Sequence, residues 1–193
     1  MINQDKLAAT LNINRNRVSR KWSRGELLGR LAWAMCGPFF AYSPRQCWGW
    51  RRFLLRLFGA QVGVHVQIYP SVKIFIPWNL SIGHYSSIGF DALIYNLGPI
   101  NIRERVTISQ RTHLCGGSHD CRDATLPLLK LPITIGNDVW ICADAFVGPN
   151  VVVGDGAVVG ACAAVFKNVE SWIIVGGNPA KEIGKRTLGS PHE

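Results

Sequence analysis

The sequence has no apolar run long enough to cross a bilayer. Its longest uncharged stretch in the basic first segment, Leu31 to Pro44, is broken by Gly37-Pro38 and falls short of the roughly 20 residues a spanning helix needs. It also lacks a compact basic head with an apolar core and cleavage site behind it, so no secretory leader is expected. The reading is a cytoplasmic protein, attached at most to the inner face of the membrane. Cys36, Cys47, Cys115, Cys121, Cys142 and Cys162 form no Cys-x-x-Cys pair and no Cys/His cluster with zinc spacing, so neither a disulfide framework nor a metal site is expected. Acidic residues are scarce in one place only. Residues 1–60 hold 2 Asp/Glu against 11 Lys/Arg, residues 61–193 hold 10 of each, and the formal charge of +9 therefore belongs to the first segment. That segment has no aromatic residue interleaved with its charge before Trp22 and no recognition motif, so a nucleic-acid partner is not expected.

What is present is a repeat of six. Ile135, Ile141, Val147, Val153, Val159 and Val165 follow one another at that interval, and Gly136, Gly148, Gly154 and Gly160 follow four of them directly. Leu, Ile and Val make up 50 of 193 residues. Six successive hits in one register then arise by chance about once in 4,000 starting points, and further runs start at Val62, Ile76 and Ile102. A helix alternates spacings of three and four, and a strand alternates every second residue, so a strict six fits short strands joined by tight corners. Three such sides per coil would stack Ile135 on Val153, Ile141 on Val159 and Val147 on Val165. Shifts of register at 74–76 and 94–102 predict small bulges, and residues 115–134 form a long excursion of the kind that usually carries function.

The expected organisation is a flexible basic tail over 1–25, an amphipathic helical segment over 26–60, the solenoid over 61–175 with its loop 115–134, and a C-terminal segment over 176–193. Within 26–60 the pattern predicts two short helices broken at Gly37-Pro38 and Ser43-Pro44. Their apolar and basic residues suit either a cap over the first coil or a membrane-surface contact through residues 1–60.

Gly116-Gly117-Ser118-His119-Asp120, Ile135-Gly136-Asn137-Asp138-Val139-Trp140-Ile141 and Gly176-Gly177-Asn178-Pro179-Ala180-Lys181, together with the repeats, resemble the hexapeptide-repeat acyltransferases. Pro77-Trp78-Asn79-Leu80 and Tyr95-Asn96-Leu97-Gly98-Pro99-Ile100 are similar to the colanic acid biosynthesis acetyltransferase group within them. The resemblance spans residues 26–186. It implies a left-handed parallel β-helix, a homotrimer with active sites in the clefts between subunits, acetyl-CoA as donor, and a sugar or glycan hydroxyl as acceptor.

Acetyl transfer needs a base for the acceptor hydroxyl, and His119 matches the family's catalytic histidine. Asp120 is the candidate to orient its ring. The family pattern lays Trp140, Ala143, Gly160 and Ala161 along the pantetheine groove with Lys167 near the adenosine phosphates, and Lys181 would add charge there. Phe166, where relatives often have a smaller residue, would narrow that groove. Asn96 is the acceptor-side candidate. His113 is a rival base, read as a corner or interface residue, and His65 and His84 are expected at solvent-facing corners. Three readings compete: an acyltransferase using another acyl-CoA, a non-catalytic trimeric scaffold, and a zinc enzyme on the same scaffold, for which a third nearby histidine is missing.

Overall fold

Each hexad supplies one aliphatic side chain that must leave water and one residue that must turn the chain. The computed structural model, which describes residues 11–189, meets both demands with six coils of a left-handed parallel β-helix. The first face is built from Gln61–Val62, Leu80–Ile82, Ile100–Ile102, Ile133–Ile135 and Val152–Val153. The second runs from Gln67–Ile68 to Ile173–Gly176, where Lys181–Lys185 folds back antiparallel, and the third from Lys73–Ile74 to Ala164–Val165. Ile135 pairs with Val153, Ile141 with Val159 and Val147 with Val165, as the repeat requires. These aliphatics are fully buried and form the single core cluster.

The corners use left-handed backbone. His65, Tyr85, Arg105 and Asp138 stack at one corner with φ of 57°, 59°, 55° and 59°. This conformation costs a non-glycine residue about 1 kcal/mol. It is held because the amides of Tyr85, Arg105 and Asp138 donate to the carbonyls of Val64, His84 and Glu104 in the preceding coil at 3.1, 2.9 and 3.0 Å.

The shifts of register are not bulges. Val62 pairs with Ile82 and Ile82 with Ile102, so the early coils are 20 residues long (82 − 62, 102 − 82) with regular strands. The extra residues sit in the corner before the first face, as a 3-10 turn at Pro77–Asn79 and as residues 96–99. The excursion is shorter than expected: residues 116–132 leave as an antiparallel hairpin, Gly117–His119 against Leu128–Lys130, while Cys115 and Ile133 stay in coil strands.

Among the described residues three helices precede the coils: α1 (Ile13–Val18), α2 (Arg24–Ala41) and α3 (Trp48–Leu57). The expected break at Gly37-Pro38 is absent. α2 carries Pro38 on its exposed side, where water can serve the carbonyl that loses its donor, and the chain turns instead at Ser43-Pro44. A first coil has no coil before it, so its carbonyls would be left facing the helices. Arg56 Nε donates to Val62 O at 2.9 Å, Arg52 to Val66 O at 2.9 Å and Arg51 Nε to Ile68 O at 2.6 Å. Trp33 Nε1 donates to Ile74 O at 2.7 Å. Four side chains thus replace the missing strands. Arg51 is wholly buried, with Ser43 Oγ and the Pro44 carbonyl as further acceptors, and desolvation lowers its pKa.

The expected flexible tail is corrected where the structure describes it; residues 1–10 lie outside the described residues. α1 docks on the excursion, and Lys130 Nζ donates to Lys21 O at 2.9 Å while lying 3.5 Å from the centre of the Trp22 ring. Sequence charge suggested a solvated segment; hydrogen-bonding partners more than a hundred residues away hold it.

Candidate active site

His119 ends the first strand of the hairpin and is exposed. Its Nδ1 lies 2.7 Å from the carbonyl oxygen of Leu126. A carbonyl only accepts, so Nδ1 carries a proton, and in the neutral ring the lone pair is then on Nε2. Leu126 takes a left-handed φ of 47°, fixed by donation of its amide to Asp123 O at 2.9 Å. The Asp123 carboxylate accepts from the Thr125 amide and hydroxyl at 2.7 and 2.8 Å, and these bonds lower its pKa. Gly117 lets the hairpin start close against the coils, since a Cβ there would sit 2.8 Å from side-chain atoms of Leu97 and Tyr95, which would have to shift.

α1 holds the same turn from outside. The Asn12 amide donates to Ala124 O at 2.7 Å, and Asn16 Nδ2 donates to Thr125 O at 2.8 Å and to Leu126 O. One carbonyl therefore receives both the catalytic-candidate imidazole and the Asn16 amide. Asp120 does not orient His119. Its Oδ1 accepts from the Arg122 amide at 2.9 Å, closing a local turn, which is the ordinary use of an aspartate in a loop. No sequence signal marks a backbone carbonyl as the orienting group, and Asn16 was hidden inside a segment read from its charge alone.

The residues expected along the donor groove gather on a different edge, between the second and third faces. Trp140 points outward, 46% exposed, with Nε1 donating to Ser109 Oγ at 3.1 Å. The Cys162 amide donates to Ala143 O at 2.9 Å, which sets Ala161 in the coil below Ala143. A Cβ on Gly160 would come within 3.1 Å of Val175 O, so close packing of the coils already favours a small residue there. Lys167 and Lys181 share a recess of about 380 Å³ at the last coil, lined also by Phe166, Pro179 and Glu182. Phe166 is exposed beside Phe146, ring centres 5.6 Å apart. Arg111 and Asp144 form a bidentate pair at 2.7 and 2.6 Å near this edge, which lowers the Asp144 pKa.

Asn96 is not at an acceptor cleft. It is fully buried, its Oδ1 accepting from the amides of Phe75 and Ile76 at 3.2 and 3.0 Å and its Nδ2 donating to Ile76 O at 2.5 Å. The longer corner leaves the amide and carbonyl of Ile76 without ladder partners, and Asn96 satisfies them while sharing the Phe75 amide with Ile94 O. His113 lies within a strand, not at a corner, edge-on to Phe146 at 5.2 Å. Its Nε2 is buried without a hydrogen-bond partner among the described residues, and desolvation lowers its pKa. His65 and His84 are exposed at a corner of the first two coils. Among the described residues no three His, Cys, Asp or Glu side chains converge as metal ligands.

A protein-family model described as bacterial transferase hexapeptide (six repeats) matches residues 132–167. The putative colanic acid biosynthesis acetyltransferase WcaF of Escherichia coli is 46% identical over 157 residues, covering 81% of this chain and 86% of that protein. The chain belongs to the hexapeptide-repeat acyltransferases. The fold agrees with solved hexapeptide-repeat enzymes. A galactoside acetyltransferase in complex with coenzyme A superposes with a TM-score of 0.79 at 25% identity, covering 90% of this chain and 88% of that one. A Vibrio cholerae hexapeptide-repeat acetyltransferase complexed with acetyl coenzyme A gives 0.77 at 23% identity, over 89% and 94% of the two chains. On this scaffold the candidate site residues lie on two separate edges, the His119 hairpin and the Trp140–Ala143 corner.

Proposed function

We propose that this acyltransferase moves an acetyl group from acetyl-CoA to a hydroxyl of a sugar or exopolysaccharide precursor, with His119 as general base. The observation that carries the reading is the Leu126 carbonyl at 2.7 Å from His119 Nδ1, which fixes the tautomer a base requires. The acceptor hydroxyl gives its proton to Nε2 as its oxygen attacks the thioester carbonyl. The carbon–sulfur bond breaks, the imidazolium returns the proton to the thiolate, and free CoA leaves with the acetylated acceptor. The coenzyme A complexes of the related enzymes support the donor, and the name of the Escherichia coli relative supports a glycan acceptor. Trp140, Ala143, Gly160 and Ala161 are the residues proposed to bind the donor's arm, with Lys167 and Lys181 facing its phosphates.

The assembly proposed is a homotrimer. The hairpin leaves after the third-face strand His113–Cys115, at its junction with the first face, whereas Trp140 and Ala143 flank the junction of the second and third. Base and donor edge of one chain are a face apart, and a neighbouring copy bringing its hairpin to that edge would complete the site. The test is release of CoA thiol from acetyl-CoA with a panel of sugars and lipid-linked oligosaccharides. His119→Ala is expected to lose roughly a hundredfold or more in turnover while retaining donor binding; unchanged turnover excludes His119 as the base.

A further inference from the structure

α2 is apolar on both sides, and among the described residues only one side has a partner. Trp33, Cys36 and Phe40 face the first coil. On the opposite side Leu28, Leu31, Met35, Phe39 and Tyr42 follow at helical spacing and are exposed, Leu28 at 68%, Met35 at 70% and Tyr42 at 88%. α3 extends this surface with exposed Trp50, Phe53 and Leu57. The two helices join through Trp50, whose Nε1 donates to Phe39 O at 3.0 Å and whose ring stacks on Phe53 at 5.8 Å. A helix apolar all round is buried in protein or in lipid, and so broad an exposed surface marks an interface. No helix among the described residues is long and apolar enough to cross a membrane, so the surface lies against its partner.

Charge selects the partner. Arg24 sits on the exposed stripe at the start of α2 and exposed Arg45 lies in the turn after it, while exposed Arg17 and Arg20 precede it. Residues 1–60 carry 11 basic and 2 acidic residues, a net +9 (11 − 2), against zero for the rest of the chain. A second copy meeting this surface face to face would oppose one such segment to another, and one meeting it with its charge-neutral coils would leave the basic rim without counter-charges. An anionic bilayer instead neutralises the basic rim while taking up the leucines and aromatics. We infer that the exposed face of α2 and α3 lies flat on an anionic lipid surface, holding the acyltransferase at the membrane through residues its chemistry does not use.

The experiment is sedimentation of the full chain with vesicles of phosphatidylcholine alone and of phosphatidylcholine with phosphatidylglycerol, at low and high salt. Binding to the phosphatidylglycerol vesicles, weakened by salt and lowered roughly tenfold or more by Leu31→Gln with Met35→Gln, is the expected result. A second pair, Leu28→Gln with Leu57→Gln, samples both helices. All four residues are more than half exposed, so thermal melting should be unchanged. The reading is overturned if the wild type binds neither vesicle, or if the variants bind as well as the wild type. It is equally overturned if light scattering shows the variants losing subunits, since a second copy then covers the face, or if they lose an acidic protein partner and no lipid binding. Acetyl-CoA turnover on a soluble acceptor, measured in parallel, should not change, which separates this inference from the assignment of His119.

Discussion

The imidazoles differ by what surrounds them. His119 stands at the surface with one nitrogen bound, while His113, six residues earlier, lies between aromatic rings with Nε2 buried and unpartnered. Burial disfavours the charged ring, so the folded pKa of His113 lies below the ordinary 6.5. Between that folded value and 6.5 the unfolded chain binds more protons, so stability contributed by His113 is complete above 6.5 and falls as the pH drops through the window. Thermal melting of His113→Phe should therefore lose less between neutral and mildly acidic pH than the wild type does. Equal slopes would show that His113 does not sense acid. Asn16 makes a different demand. Asn16→Asp keeps the size but removes the amide that donates to the Leu126 carbonyl, and is expected to lower kcat about tenfold with KM for acetyl-CoA unchanged. A change in KM alone would make α1 a mere packing element.

At the scale of elements, the first coil is the vulnerable one. Every later coil receives its hydrogen bonds from the coil before it, whereas this one depends on Arg51, Arg52 and Arg56 of α3 and Trp33 of α2. Arginine suits the task because its planar head serves several carbonyls at once without a carboxylate partner. Arg51→Ala should cost about 3 kcal/mol or more in denaturant unfolding, by leaving Ile68 O and its neighbours unsatisfied in the interior. Retention of wild-type stability would mean that water serves those carbonyls. The same bonds show that part of the basic excess in residues 1–60 is structural, a use that charge counting could not separate from a lipid-facing one.

Taken whole, the molecule holds its candidate base and its proposed donor residues on two edges, and the proposed trimer has a direct consequence. Co-assembly of His119→Ala with Ala161→Trp, each inactive alone, should restore measurable turnover, because some clefts then pair an intact hairpin with an intact donor edge. Failure to restore it, with mixed assemblies verified, would put base and donor edge in the same chain.

The solenoid was legible in the order of residues, since a strict six-residue aliphatic period with turn residues between admits few other packings. That order also marked the excursion, because a long departure from a regular coil stands out against its period; His119 within it was singled out by the resemblance of Gly116-Gly117-Ser118-His119-Asp120 to the family. Only the tertiary structure decided the rest. The interior role of Asn96, the local turn of Asp120, the seat of Asn16 and the carbonyl that orients His119 all depend on contacts between residues distant in sequence or on backbone atoms without a side-chain signature. Periodicity records which side of a strand meets the core; it carries no information about which unpaired backbone group a polar side chain must serve.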